Sequence, residues 1–168
     1  MKYLEMLNII VRPATTADVE TILTFIKGLA AFEKEPDAVK TTAADLLRDG
    51  FGVNPKFEVL IAEQDGQPVG FALFFPTYST WEGRPGIHLE DIFVVEEARG
   101  CGVGWKLMSA LAALTVARGC ARLELSVLQW NPAREFYHRL GMGHLEEWLP
   151  YRLSGEALRA LAAEANEL

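Results

Sequence analysis

Residues 89–104, LEDIFVVEEARGCGVG, hold the side chains and spacing in this chain most able to do chemistry. Two carboxylates, Glu90 and Asp91, head the apolar run Ile92, Phe93, Val94 and Val95. A few residues on, the chain opens into Arg99-Gly100-Cys101-Gly102-Val103-Gly104. Glycines between a strand and a helix let backbone N–H groups approach a ligand without side-chain obstruction. The start of the helix adds partial positive charge and outward-pointing donors. Together these suit a pyrophosphate, to which Arg99 could add a charge-assisted contact. The spacing is Gly-x-Gly-x-Gly and not the Gly-x-Gly-x-x-Gly of a dinucleotide fingerprint. Glu124, twenty residues beyond Gly104, is already explained by strand alternation, and the Gly-Lys-Ser/Thr of a Walker loop is missing. A plain tight turn is the remaining alternative, so the loop by itself implies a phosphate-bearing ligand and no more.

The carboxylates pose the second question, because a buried ionised carboxylate is destabilising unless paired, hydrated or neutralised. In a regular strand Glu90 and Asp91 face opposite sides. One arrangement sends one of them to solvent and lets the other cap a backbone or pair with an arginine. The other is a bulge or splay that exposes both to a cleft near the glycine loop. There an apolar wall would raise a carboxylate's proton affinity and make it a usable base. Cys101 stands at a helix start, where a thiolate is favoured, but lacks a basic partner and is not expected to act as a nucleophile. Cys101 and Cys120, with the scattered His88, His138 and His144, show no metal-ligand spacing. No metal is expected.

The elements that must position these groups read as follows. Residues 7–12 predict a first strand closed by Pro13. Thr15 to Asp18 forms a capping box opening a helix with apolar positions Val19, Ile22, Leu23, Ile26 and Leu29. Thr42 and Asp45 repeat the signal for a short helix stopping at Gly50. Strands at 57–62 and 69–75 flank Asp65-Gly66, a hairpin signal, with Pro76 ending the second. A strand at 87–95, the glycine loop, a helix over 103–118 with Leu107, Leu111 and Leu114 on its apolar face, and a half-buried strand at 121–128 follow. Asn131-Pro132 caps a helix ended by Gly141. A weak strand at 148–153 and a final amphipathic helix close the chain. The order predicts a mixed α/β fold with a strand–helix–strand crossover at its centre.

The chain has 168 residues, half of them apolar and 23% charged, which suits one globular domain over 1–168. A net charge of -7 offers no basic stripe for nucleic acid. It mildly favours a cationic substrate, although solubility is the commoner reason for such a charge. No apolar run approaches the ~20 residues needed to span a bilayer, and the first residues lack signal-peptide features. A reducing cytoplasm is the expected setting.

Arg99-x-x-Gly102-x-Gly104, between a strand and a helix and followed by the segment from Asn131 to Gly141, resembles the acetyl-CoA signature of the GNAT N-acetyltransferase superfamily. Within it the chain is most similar to spermidine/spermine N-acetyltransferases and thialysine-acetylating proteins. The similar stretches are VRPAT at 11–15, DLLRDGFG at 45–52, VGFA at 69–72, LED at 89–91, Phe93-Val94, the glycine loop, Trp130-Asn131 and Phe136-Tyr137. The resemblance implies a single-domain mixed sheet flanked by helices, in which two central parallel strands splay apart. Acetyl-CoA would enter that wedge and pair along Ile92, Phe93 and Val94. Its pyrophosphate would rest on Arg99, Gly100, Cys101, Gly102, Val103 and Gly104, with Asn131, Ala133 and Tyr137 also on the cofactor. An amine would attack the thioester directly, Glu90 accepting its proton and Tyr137 serving the leaving thiolate. Phe32, Glu33, Trp81, Glu90 and Asp91 would line the acceptor side, and a homodimer is implied.

The match departs from the pattern on the acceptor side. Ser79 and Thr80 stand where polyamine acetylases carry an aspartate, and Phe32 replaces a tyrosine beside Glu33. One residue is inserted between Trp81 and Glu90, and the stretch from Trp130 to Tyr137 is one shorter. The expected reaction is therefore acetyl transfer to a small cationic amine, with polyamine, diamine and thialysine- or lysine-like acceptors left open. Acetylation of a protein or peptide, and a non-catalytic acetyl-CoA-binding module, are the alternatives.

Overall fold

The computed structural model describes residues 8–165, which divide into two compact units, 8–128 and 129–165. The first holds a five-stranded sheet in the order β1 (Ile9–Pro13), β2 (Glu58–Gln64), β3 (Gln67–Ser79), β4 (Arg84–Val94), β5 (Leu123–Leu125). The first three neighbour pairs are antiparallel, and β4 and β5 are parallel. Helices α1 (Val19–Phe32), α2 (Ala43–Phe51) and α3 (Val103–Ala117) complete the unit. This is the mixed α/β architecture that the residue pattern implies. Leu7, expected to begin β1, lies outside the described residues.

Both capping boxes form. Asp18 Oδ2 accepts from the Thr15 N–H at 2.7 Å, and Asp45 Oδ2 from the Thr42 N–H at 3.0 Å. Arg12 donates twice to Asp18, at 2.8 and 2.9 Å, tying β1 to the turn before α1. This pairing holds the Asp18 pKa down at about 2. Asp65 and Gly66 both take positive φ, 51° and 76°, as a tight hairpin turn requires.

Period-two alternation gives the sheet two buried faces. Val59 and Ile61 of β2 and Phe71 and Leu73 of β3 meet Val19, Ile22 and Phe25 of α1 and Leu46 of α2. On the opposite face α3 packs across β1 to β4 through a stripe that includes the buried Val103, Leu107 and Leu111. Burying a side chain of this size stabilises the fold by ~2 kcal/mol.

Several expectations are corrected. β3 runs through Pro76 to Ser79, because β2 ends opposite Phe74 and leaves that stretch an edge, where proline is tolerated. The α2 helix ends at Phe51, not Gly50. β5 is confined to three residues instead of spanning 121–128, since its pairing with β4 stops at Leu89↔Leu125. No strand forms at 148–153; Pro150 removes a donor there, and Trp148, Leu149 and Tyr151 are exposed.

The second unit contains α4 (Ala133–Arg139) and α5 (Gly155–Ala163). Asn131 Oδ1 accepts from the Ala133 N–H at 2.9 Å, the expected cap, and Gly141 ends α4 with φ 87°. The amphipathic α5 buries none of its residues.

Candidate active site

The first unit's site is built where β4 changes partners. From Ile87 to Leu89 it pairs with β5, and from Glu90 onward that edge is open. On its other edge the register with β3 jumps at the same point: Leu73 faces Asp91 and Phe74 faces Leu89, leaving Glu90 as an extra residue. This is a β-bulge. It suspends the alternation that would send Glu90 and Asp91 to opposite faces. Asp91 stands opposite Leu73 on the α1 side of the sheet. Glu90 Oε2 lies 3.5 Å from Nε2 of His88, whose ring stacks on Phe75 at 5.0 Å. The bulge is present, and it leaves Glu90 exposed while Asp91 is half-buried.

Asp91 is half-buried, and its pKa is raised to about 6, first by burial and then by the charges of Glu90 and Glu33. Glu33 follows the last residue of α1, where its N–H bonds the Leu29 carbonyl at 2.9 Å; burial raises its pKa too. Glu33, Glu90 and Asp91 thus form one acidic locus beside Phe32. An organic cation there would relieve the mutual repulsion, and a carboxylate near pH 6 can exchange a proton with an amine. Trp81 is not brought to this locus. It sits in the β3–β4 turn, at the far end of β4 from Asp91, about 20 Å away at a strand's rise per residue.

The open edge of β4 has its own chemistry. The Val95 N–H bonds the Val69 carbonyl at 2.9 Å, so alternation directs the backbone groups of Phe93 to β3 and those of Ile92 and Val94 outward. The edge leads through a short 3₁₀ turn, Glu96–Ala98, into the glycine loop. Gly100 and Gly102 take φ values of 75° and 90°, conformations for which a side chain would be strained. Gly102 caps α3, and the N–H groups of Val103, Gly104 and Trp105 in its first turn have no carbonyl ahead of them in the helix. A Cβ at Gly100 would meet nothing within 4 Å. This cradle of backbone donors fits a pyrophosphate. Cys101 is half-buried, its thiol directed at the Arg99 carbonyl at 3.7 Å. Arg99 itself turns back from the loop. Its Nε donates to the Val94 carbonyl at 2.9 Å, and its guanidinium carbon stands 5.1 Å from the Phe32 ring centroid and 5.5 Å from that of Phe93.

In the second unit Asn131 and Tyr137 are buried, and the Phe136 and Tyr137 rings lie 5.6 Å apart. Residue reasoning missed His88. The signal was present, since positions 88 and 90 share a strand face, but a lone histidine in an apolar run carries little weight without the bulge. Among the described residues no group of three or more His, Cys, Asp or Glu side chains is placed to hold a metal ion, and no helix is long and apolar enough to cross a membrane.

A parallel strand pair that parts beside a glycine loop, with carboxylates at the parting, can seat a phosphate-bearing cofactor next to a cation. Residues 24–142 match the Acetyltransferase (GNAT) family, and the chain belongs to that family. The thialysine N-epsilon-acetyltransferase of Sus scrofa is 41% identical over 95% of this chain and 100% of that protein. That of Caenorhabditis elegans is 33% identical, again over 95% and 100%. The spermidine/spermine N(1)-acetyltransferase-like protein 1 of Homo sapiens is 38% identical over 92% of this chain but 24% of its own length. Among solved structures, an integron cassette protein from the mobile metagenome of V. cholerae superposes with a TM-score of 0.77 at 25% identity, covering 92% of this chain and 98% of that one.

Proposed function

We propose that the protein transfers an acetyl group from acetyl-CoA to a primary amine of a small cationic acceptor, both units acting as one N-acetyltransferase domain. One observation carries the reading: the free edge of β4 has the carboxylate locus at its head and the glycine cradle beyond its tail. The backbone groups of Ile92 and the N–H of Val94 would pair with the pantetheine, and the N–H groups of residues 100–104 would bind the pyrophosphate. Asn131, Ala133 and Tyr137 are assigned to the cofactor by family resemblance, whereas Trp81, in the turn at the far end of β4, is not assigned to the acceptor.

Phe32, Glu33 and Asp91 would hold the cationic acceptor. Glu90 would take a proton from the ammonium group through water, freeing the nitrogen lone pair. The nitrogen then bonds to the thioester carbonyl carbon as the C–S bond breaks. Tyr137 would supply a proton to the departing thiolate and recover one, through water, from the second proton that the acylated nitrogen sheds. The relatives named thialysine N-epsilon-acetyltransferase support a lysine-like acceptor, and the likeness to the spermidine/spermine N(1)-acetyltransferase-like protein 1 keeps a polyamine or diamine open.

Thiol release from acetyl-CoA, followed across polyamines, diamines, lysine analogues and peptides, tests this. Release with a small amine is expected. Peptides alone serving as acceptors would reassign the protein to peptide acetylation, and calorimetric binding of acetyl-CoA without any turnover would make it a binding module. We also propose a homodimer, supported by the exposed Trp148, Leu149, Tyr151 and Leu153 of the second unit and checked by sedimentation. The free thiols of Cys101 and Cys120 support a reducing, cytoplasmic setting.

A further inference from the structure

Arg99 opens the glycine loop and is exposed, yet its side chain is turned back from the loop. Three contacts fix it. Nε donates to the Val94 carbonyl, and the guanidinium lies against two rings, those of Phe32 and Phe93. The Phe32 ring belongs to the acceptor side, and the Phe93 ring packs against the helix that ends there. Phe32 is the last residue of α1, immediately before Glu33. Phe93 is two residues beyond Asp91 on the same strand face, and its ring lies 5.9 Å from that of Phe25 in α1. Gly28 leaves the space this needs: a Cβ there would come 2.7 Å from Phe93 Cζ. One guanidinium therefore joins the cofactor loop, the free edge of β4 and the end of α1 that presents a carboxylate to the acceptor.

We propose that Arg99 is a positioning residue that couples the two substrate sites: a nucleotide seated on the glycine loop fixes Arg99, and Arg99 fixes the Phe32–Glu33 end of α1 for the amine. The coupling rests on the acetyl-CoA reading of the loop and adds to it a route to the acceptor wall. A planar guanidinium can stack on aromatic faces while donating in its own plane, which an ammonium cannot do. Stacked cation–aromatic contacts of this kind carry a roughly two- to thirtyfold effect on an equilibrium. Because binding linkage is reciprocal, the amine must tighten coenzyme A by the same factor that coenzyme A tightens the amine.

Amide hydrogen exchange with coenzyme A alone tests this without needing to know the acceptor. In the unaltered protein coenzyme A should slow exchange over residues 99–105 and, by about threefold or more, over residues 29–34. In Arg99→Met and in Phe32→Leu, protection of the loop should persist while protection at the end of α1 disappears. Phe32 is partly exposed, so the second variant tests the contact if the first is poorly folded. With an amine that turns over, the gain in coenzyme A affinity on adding the amine should fall towards one in both variants, and the double variant should be no worse than either. Protection of residues 29–34 that survives in Arg99→Met, or that is absent from the unaltered protein while the loop is protected, overturns the coupling and leaves the functional reading standing. A loop that coenzyme A does not protect at all overturns both.

Discussion

Replacing Asp91 with Asn separates what this carboxylate does to the fold from what it does for a cation. Burial, then the charges of Glu90 and Glu33, raise its pKa from 3.8 to about 6. The folded chain thus holds this proton more tightly than the unfolded chain. Asp91 contributes stability that is fully present below pH 3.8 and is lost as pH rises through about 6. At about 1.4 kcal/mol per pH unit, that interval is worth at most about 3 kcal/mol, and about half as much once partial solvent access at this half-buried position is counted. Asparagine has nearly the same shape and cannot ionise. Asp91→Asn should therefore be more stable than the natural chain at pH 7.5 by about 1.5–3 kcal/mol, a rise in Tm of roughly 3–12 °C for a chain of this size. The advantage should shrink through pH 6 and vanish near pH 4, which thermal unfolding by circular dichroism at several pH values would show. The same variant should bind amine roughly tenfold or more weakly, the usual effect of losing a charge-assisted contact. In the natural chain amine affinity should fall as pH drops through about 6, where Asp91 takes up its proton. An Asp91→Asn protein no more stable at pH 7.5, or equally stabilised at pH 4 and 7.5, would refute the reasoning.

Three further outcomes are expected. Tyr137→Phe should lower kcat by ~10²–10⁴-fold, the usual worth of a positioned proton donor, with coenzyme A affinity by calorimetry little changed; full activity would remove Tyr137 from its role. Gly102→Ala forces a side chain into φ 90° and should destabilise the loop by ~1–2 kcal/mol. Its coenzyme A affinity should fall about tenfold, whereas Gly119→Ala, at φ 68° beyond the far end of α3, should lose comparable stability and keep that affinity. Asp18, held at about 2 by Arg12 and the Thr15 N–H, contributes stability present above pH 3.8 and lost as pH falls through about 2. Asp18→Asn should accordingly unfold about 2 kcal/mol more easily in urea at pH 7, the gap closing near pH 2 while turnover at neutral pH stays unchanged.

What could be read from the residues was local. The two capping boxes, the Asp65-Gly66 turn, the Asn131 cap and the glycine loop each declare themselves within a few positions, because the groups that satisfy one another are neighbours in sequence. What escaped depends on distant partners. The alternation of Arg122, Leu123, Glu124 and Leu125 continues to Leu128, yet the strand stops at Leu125 because β4 no longer lies beside it. Residues 148–153 have strand-forming side chains but no ladder to join. Arg99 looked free to meet an anion; only the fold brings Phe32, sixty-seven residues earlier, against it. Glu33 near Asp91 is a meeting of the same kind, which the residues alone did not suggest and family resemblance did.

The bulge and the splay fall at the same residue, and one physical cause accounts for both. An extra residue at Glu90 bends the strand and increases its twist. β3 follows the bend because its register shifts between Leu73 and Phe74. β5 is held to β4 only over Ile87 to Leu89 and does not follow. The bend therefore leaves the backbone groups of Ile92 and the N–H of Val94 without a strand partner on one edge, the Val94 carbonyl accepting from Arg99, while bringing Glu90 and Asp91 towards the same face of the sheet. A single insertion in one strand thus makes a ladder for an acyl carrier and an acidic seat for an amine next to each other. Two charges in an apolar run, puzzling in a regular strand, are what an irregular strand needs at the point where it leaves its neighbour.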